Sequence, residues 1–184
     1  AWQDLRVASN ADLYAQHLLA TGVVDPAWPA NGLVVCSATG TQQNVQLVPD
    51  GRGGALVTWD DARASSALDV YAQHVPGTGG VDGAWPANGR CLSSAQATQN
   101  APRLIADGSG GAIVAWMDSR YGAGGTYDIY AQRVQANGQL GGTVVGVEPD
   151  AAVAFSLSGP RPNPTRGGRL ALDLRPDLVV AKLL

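Results

Sequence analysis

Aspartate and arginine recur two residues apart at three places in the chain, each time after a tryptophan. The pattern Trp-x-Asp-x-Arg begins at Trp2, Trp59 and Trp116, a constant spacing of 57 residues. A carboxylate beside a guanidinium forms a charge-assisted hydrogen bond, and carboxylate oxygens are also ligands that Ca²⁺ prefers. These residues therefore fit either a structural ion pair or a repeated metal contact. The pairs are Asp4 with Arg6, Asp61 with Arg63, and Asp118 with Arg120.

The repetition favours the structural interpretation, because a catalytic site usually breaks repeat symmetry whereas a packing contact repeats with it. For calcium, oxygen ligands are available from Asp60, Asp61, Asp69 and Asp128. Neither the EF-hand spacing nor the glycine-rich nonapeptide spacing of calcium-binding repeats is present. We expect ion pairs that hold the turn after this strand, no metal site and no cofactor, with Ca²⁺ as the remaining alternative.

Two tryptophans are the candidate ligand-binding residues. Trp28 and Trp85 each precede a proline in a segment bounded by Asn and Gly, and the segment Ala-Trp-Pro-Ala-Asn-Gly occurs twice. An exposed indole at such a place can stack on a sugar ring or another flat ligand. The competing interpretation is burial against a neighbouring repeat, which we favour.

The two histidines share one repeat position. His17 and His74 follow the pattern Asp-x-Tyr-Ala-Gln, and Arg133 takes their place in the third copy. This exchange predicts an outward polar position rather than a general base. No nucleophile elbow, phosphate-binding loop or paired-carboxylate motif occurs, so we expect no enzymatic activity.

The elements that carry these residues are repeated strands. Within the third unit we predict strands near residues 103–106, 112–116, 127–134 and 142–147, separated by Asp-Gly, Gly-Gly and Asn-Gly turns. No 3.6-residue apolar period persists over a helix length. Four short antiparallel strands in a 57-residue repeat predict β-propeller-like blades. Each unit also repeats a tyrosine, at Tyr14, Tyr71 and Tyr130, followed eight residues later by a turn glycine.

The chain divides into two parts. Residues 1–148 hold one partial and two full blades, because Trp2 falls where the second strand of a unit ends. Residues 149–184 form a short Pro-rich β segment, in which prolines 160, 162, 164 and 176 forbid helix. An open array of blades leaves faces and an edge strand unpaired, so we expect missing blades of a larger parent or self-association to cover them.

Composition excludes some classes of partner. The net charge is −3 and Lys182 is the sole lysine, which leaves no basic field for nucleic acid. No apolar stretch has the length of a membrane-spanning helix. Cys36 and Cys91 are too few for a disulfide framework, and two buried thiols are favoured over one mutual bond.

The repeats resemble those of large secreted bacterial β-propeller proteins. The resemblance rests on the string from Gly110 to Arg120 and on the string from Tyr127 to Arg133. In the tail, the segment from Phe155 to Pro164 and the segment from Gly168 to Leu174 resemble the opening of FlgD-type Ig-like or sorting domains. The resemblance implies an extracellular or cell-surface location and roles in adhesion, binding or display, and it carries no catalytic motif.

We therefore expect a non-enzymatic secreted or cell-surface repeat protein for structural assembly or binding. One variant is head-to-tail self-association into a filament by completion of the open blade. The alternative is a carbohydrate-binding or carbohydrate-active propeller, a lectin or glycosidase, which would place acidic and aromatic residues around a central channel and take a glycan as partner.

Overall fold

Short antiparallel strands joined by glycine-bearing turns make up the protein. The computed structural model describes residues 1–6, 10–64, 67–122 and 126–145. Within these ranges there are eleven strands and no helix, and therefore no helix that could cross a membrane. The prediction of an all-β chain is confirmed. The Pro-rich segment, the boundary at residue 148 and the sorting-type tail lie outside the described residues.

The strands form three separate sheets in chain order. The first sheet contains β1 (Trp2–Asp4), β2 (Asp12–Ala15) and β3 (Leu33–Cys36). The second contains β4 (Gln42–Pro49), β5 (Ala55–Asp61), β6 (Asp69–Val75) and β7 (Arg90–Ser93). The third contains β8 (Gln99–Ala106), β9 (Ala112–Asp118), β10 (Asp128–Val134) and β11 (Leu140–Val145). Each sheet is a meander in which neighbours in sequence are neighbours in space, and no closure into a ring is seen in the part that the structure describes.

The predicted strands of the third unit are present, with shifted ends. The first begins four residues earlier than predicted, at Gln99, because a bulge between Asn100 and Arg103 interrupts its pattern. Ala101 in that bulge has a φ of 53°, a left-handed conformation unusual for a residue with a side chain. Pro102 is tolerated because β8 is an edge strand of its sheet.

Turn glycines lie where the sequence places them. Gly22, Gly79 and Gly138 have φ values of 81°, 92° and 78°. Around Gly138 the turn joins β10 directly to β11, as a tight hairpin. In the first two units a longer loop follows the turn and carries Trp28 or Trp85 before the last strand of the sheet.

Two apolar cores lie between the sheets rather than within any one of them. One joins Leu13 and Val35 of the first sheet to Val57 and Trp59 of the second. The other joins residues of the second sheet, among them Leu56, Val70 and Leu92, to residues of the third, among them Val114, Trp116 and Tyr130. The sheets are therefore stacked face to face, and burial of these faces is the main stabilising contribution.

Candidate functional site

The repeated tryptophan, aspartate, arginine and tyrosine form one cluster in each sheet. In the second sheet, Trp59 donates its indole N–H to Asp61 Oδ2 at 2.7 Å. Arg63 Nε donates to Asp61 Oδ1 at 2.9 Å, and its guanidinium carbon lies 3.8 Å from the centroid of the Tyr71 ring. The predicted charge-assisted contact is therefore present. The same indole, ion-pair and cation–π contacts occur in the first and third sheets, with Trp2, Asp4, Arg6 and Tyr14, and with Trp116, Asp118, Arg120 and Tyr130.

These clusters also join neighbouring sheets. Arg63 Nη2 lies 3.3 Å from the sulfur of Cys36 in the first sheet. Arg120 Nη2 donates to Ser93 Oγ in the second sheet at 3.1 Å, and Ser93 holds the same repeat position as Cys36. Each arginine thus neutralises a carboxylate of its own sheet and contacts the sheet before it. A recurring contact of this kind serves the stacking of the sheets.

Burial and hydrogen bonding act in opposite directions on the carboxylates of these clusters. For Asp118, burial raises the pKa, but hydrogen bonds from Arg120 and Trp116 outweigh it, so the pKa lies below its ordinary value. A carboxylate held ionised by two fixed donors is poorly placed to exchange protons with a substrate. The cluster therefore has the chemistry of a structural ion pair.

Trp28 and Trp85 are buried between sheets, not exposed for stacking on a ligand. The indole N–H of Trp28 donates to the carbonyl of Gly77 in the second sheet at 3.1 Å. That of Trp85 donates to the carbonyl of Ala136 in the third sheet at 2.9 Å. A Cβ on Gly138 would come within 3.0 Å of the Trp85 ring, so glycine is needed there both for its left-handed φ and for the approach of the indole. The ligand-binding interpretation of these two residues is not what the structure presents.

The prediction of an outward polar position for the histidines is wrong for His74. Its Nδ1 lies 2.7 Å from Asp82 Oδ2 and its Nε2 lies 3.0 Å from Asp50 Oδ2, and the side chain is mostly buried. The physical reason is tertiary: the Asp-Gly turn after β4 and the loop after β6 both fold over the strand that carries the histidine. Hydrogen bonds from the Ala84 N–H and then from His74 hold the pKa of Asp82 below its ordinary value.

The equivalent residues in the other sheets keep part of this arrangement. His17 Nδ1 lies 2.9 Å from Asp25 Oδ2 and is more exposed than His74. Arg133 Nε donates to Asp107 Oδ2 at 2.9 Å, and Asp107 holds the repeat position of Asp50. A basic side chain paired with a turn aspartate is therefore the repeated feature of this position, with a role in holding the turn.

One buried carboxyl group stands apart from the repeat pattern. Asp60 is fully buried and accepts a hydrogen bond from the Asn44 side chain, while the nearby backbone N–H of Ala101 in the third sheet acts to lower its pKa. Its Oδ1 has no hydrogen-bond partner among the residues that the structure describes. Burial raises its pKa above the ordinary value. Gln3 and Met117 occupy the same position in the other repeats, so the fold does not require an acid there.

Sequence reasoning missed Asp60 as a distinct residue. The sequence pattern presents Asp60 only as one of four candidate calcium ligands, yet it lies towards the third sheet, whereas the oxygens of Asp61 accept hydrogen bonds from Trp59 and Arg63. The signal that could have identified it is the exchange of glutamine, aspartate and methionine at one repeat position. A buried carboxyl group with a raised pKa marks a candidate site for proton transfer or ligand binding.

The described residues contain no group of three or more His, Cys, Asp or Glu side chains that could hold a metal ion. Cys36 and Cys91 are free thiols. Burial raises the pKa of Cys36 to about 11, which keeps the sulfur protonated and poorly nucleophilic.

Comparison with known proteins adds no relative to this picture. A scan against models of protein families, a search of curated proteins and a search of solved structures each found no match.

Proposed function

We propose that the chain is a non-enzymatic repeat module of a secreted or cell-surface protein, serving binding or structural assembly through the faces of its stacked sheets. One observation carries the proposal: the recurring polar and aromatic residues are engaged in contacts within and between sheets. Arg63 and Arg120 contact the preceding sheet, and Trp28 and Trp85 contact the following one. These contacts between sheets stiffen the array, and side chains held in them are not available to take part in a reaction.

A propeller-like arrangement is part of this proposal. Two features support it: the four-stranded meander of the second and third sheets, and the contact between their first strands, β4 and β8, as in blades whose inner strands lie side by side. The extracellular or cell-surface location follows from the resemblance of the repeats and tail to secreted bacterial proteins.

The absence of catalysis can be tested directly with the intact chain. We expect no turnover of a panel of chromogenic glycosides, esters and peptides, and no change in that result for Asp60→Asn. Turnover by the wild-type chain that disappears in Asp60→Asn would overturn the non-enzymatic proposal. The proposed location is tested by fractionating cells that express the protein. We expect the protein at the cell surface or in the medium, and retention inside the cell would contradict the proposed location.

A second candidate function is glycan binding or hydrolysis, for which two observations speak. Tyr121 and Tyr127 flank a Gly-rich loop found only in the third repeat, and both are exposed. Asp60 supplies a buried carboxyl group close to strand β8. Binding on a glycan array that is lost in Tyr127→Ala, but retained in Leu19→Ala on an exposed turn, would favour this candidate. No binding across the array would remove it.

A further inference from the structure

The two contacts between sheets are built from the same pair of faces. One sheet presents small aliphatic side chains, and the next presents the row that begins with the tryptophan of Trp-x-Asp-x-Arg. In the second contact, Leu56 and Val70 of the second sheet pack with Val114 and Trp116 of the third. In the first contact, Leu13 of the first sheet packs with Trp59 of the second. Each sheet therefore has an aliphatic face and a tryptophan face.

The third sheet presents its aliphatic face without a covering sheet among the described residues. Ile113 and Ile129 take the repeat positions of Leu56 and Val70. Ile105 pairs with Ile113 across β8 and β9, so both side chains lie on this face. Ile129 is 52% exposed and Ile105 is 65% exposed, whereas Val70 is fully buried in the second sheet. We call Ile105, Ile113 and Ile129 the isoleucine face.

The first sheet presents the complementary face at the opposite end. Trp2 pairs with Tyr14, and Tyr14 pairs with Val34, so the three side chains form one row. The equivalent row of the second sheet, from Trp59 through Tyr71, is turned towards the first sheet, and Trp59 is fully buried there. Val34 is 42% exposed and Trp2 is half-buried, whereas Tyr14 is buried, with the Arg6 guanidinium 4.0 Å from the centroid of its ring. We call Trp2, Tyr14 and Val34 the tryptophan face.

We propose that a second copy of this chain docks head to tail, with the tryptophan face of one copy against the isoleucine face of the next. The proposal rests on the proposed assembly function and names its partner. Between its own sheets the molecule already forms this kind of interface twice, each time between an aliphatic face and a tryptophan face. Because the two faces differ, the contact is heterologous and leaves one of each face free, so copies add until the series closes into a ring or continues as an open filament.

The contact between copies should be weaker than those within one chain. The third repeat has no counterpart of the Trp28 and Trp85 loops, whose indoles anchor the internal contacts on the following sheet. We therefore expect association that rises with concentration and reverses on dilution.

Two single variants and their mixture test the proposal on the intact chain. Ile129→Glu places a charge on the isoleucine face, and Val34→Glu places one on the tryptophan face, both at exposed positions where we expect the substitution to leave folding intact. Each alone should weaken association by about a hundredfold or more, because a carboxylate would be buried in an apolar contact. Mixed in equal amounts, the two variants should form a dimer that grows no further, because each retains the face that the other has lost. Light scattering measures the particle mass, and circular dichroism checks folding.

Val23→Glu is the matched control, an exposed valine in the loop between β2 and β3 that belongs to neither face as defined, and it should associate as the wild type does. Monomers of the wild-type chain at all concentrations would overturn the proposal. Association unchanged in both face variants would also overturn it and would point to pairing of strand edges. Binding of a glycan by the monomer, if Ile129→Glu abolishes that binding, would also overturn the proposal, because the isoleucine face would then be a glycan-binding surface. None of these results bears on turnover, so the non-enzymatic proposal is judged separately.

Discussion

Trp85 of the second sheet donates its indole N–H to the carbonyl oxygen of Ala136 in the third sheet, across 2.9 Å. Trp28 makes the equivalent bond to Gly77, one repeat earlier. The last loop of one sheet thus reaches over the hairpin turn of the next. Stacking of the sheets depends on a few such side chains, which makes single substitutions informative.

Removal of the Trp85 side chain should weaken the contact between the second and third sheets. We expect Trp85→Ala to lower the free energy of unfolding by about 3–5 kcal/mol, because it opens a cavity in a packed contact. Trp85→Phe keeps most of the apolar area and should lose only about 1–2 kcal/mol, mainly from the unpaired Ala136 carbonyl. Urea unfolding measures both, with exposed Leu18→Ala as a control that should change little. Equal losses for Ala and Phe would show that packing of the ring is not what matters.

The buried ion pair of the second sheet should contribute more to the free energy of unfolding than its counterpart in the first sheet. Asp61→Ala leaves Arg63 and the Trp59 indole without their carboxylate, at a cost of about 3–5 kcal/mol. Asp4→Ala removes the same contacts from Arg6, where the pair is partly open to solvent, and should cost much less. Thermal and urea unfolding of the two variants give the comparison. Similar losses would mean that burial does not set the strength of these pairs.

Gly89 should reject a side chain for two separable reasons. Its φ is 96°, and a Cβ there would lie 2.5 Å from the Trp59 ring. Gly108 has a φ of 76° with no atom near the Cβ position, so Gly108→Ala reports the backbone strain alone, about 1–2 kcal/mol. Gly89→Ala should lose about 1–3 kcal/mol more, from displacement of the indole. Urea unfolding of both variants tests this, and equal losses would show that the Trp59 ring moves aside freely.

Asp60 should make stability depend on pH in a defined direction. Burial raises its folded-state pKa above 3.8, so its contribution is most favourable below about pH 4 and is lost as pH rises through the folded-state pKa. Asp60→Asn cannot ionise and should therefore gain stability relative to the wild type between pH 3 and pH 7. Unfolding free energies at several pH values within this range measure the difference.

Asp82 provides a comparison of opposite sign. Its pKa is lowered, by the Ala84 N–H and then by His74, so its stabilising contribution is present above about pH 4 and lost in acid. Asp82→Asn should lose stability relative to the wild type over the same pH range. Parallel curves for the two variants would contradict the assigned pKa shifts.

Much of the architecture can be read from local patterns. Alternating apolar residues, and glycines at Gly22, Gly79 and Gly138, predicted the strands and turns because strand pairing and positive φ depend on neighbouring residues. The contact of Asp61 with Arg63 was equally predictable, since the two residues are only two positions apart in sequence. The shortened first sheet also follows from the position of Trp2 within its repeat.

The sequence by itself thus determined the strands, the turns and the repeated ion pairs, all set by chemistry within a few residues. Only the tertiary structure decided which face of each sheet is covered. That step placed Trp85 against Ala136, enclosed His74 between two aspartates and buried Asp60 beneath the third sheet. The physical reason is that alternation in a strand assigns side chains to two faces, but burial depends on the segments that fold over a face. For Trp85 and Asp60 these segments belong to a sheet some 40 residues or more away in sequence, and for His74 they are loops 24 and 8 residues away.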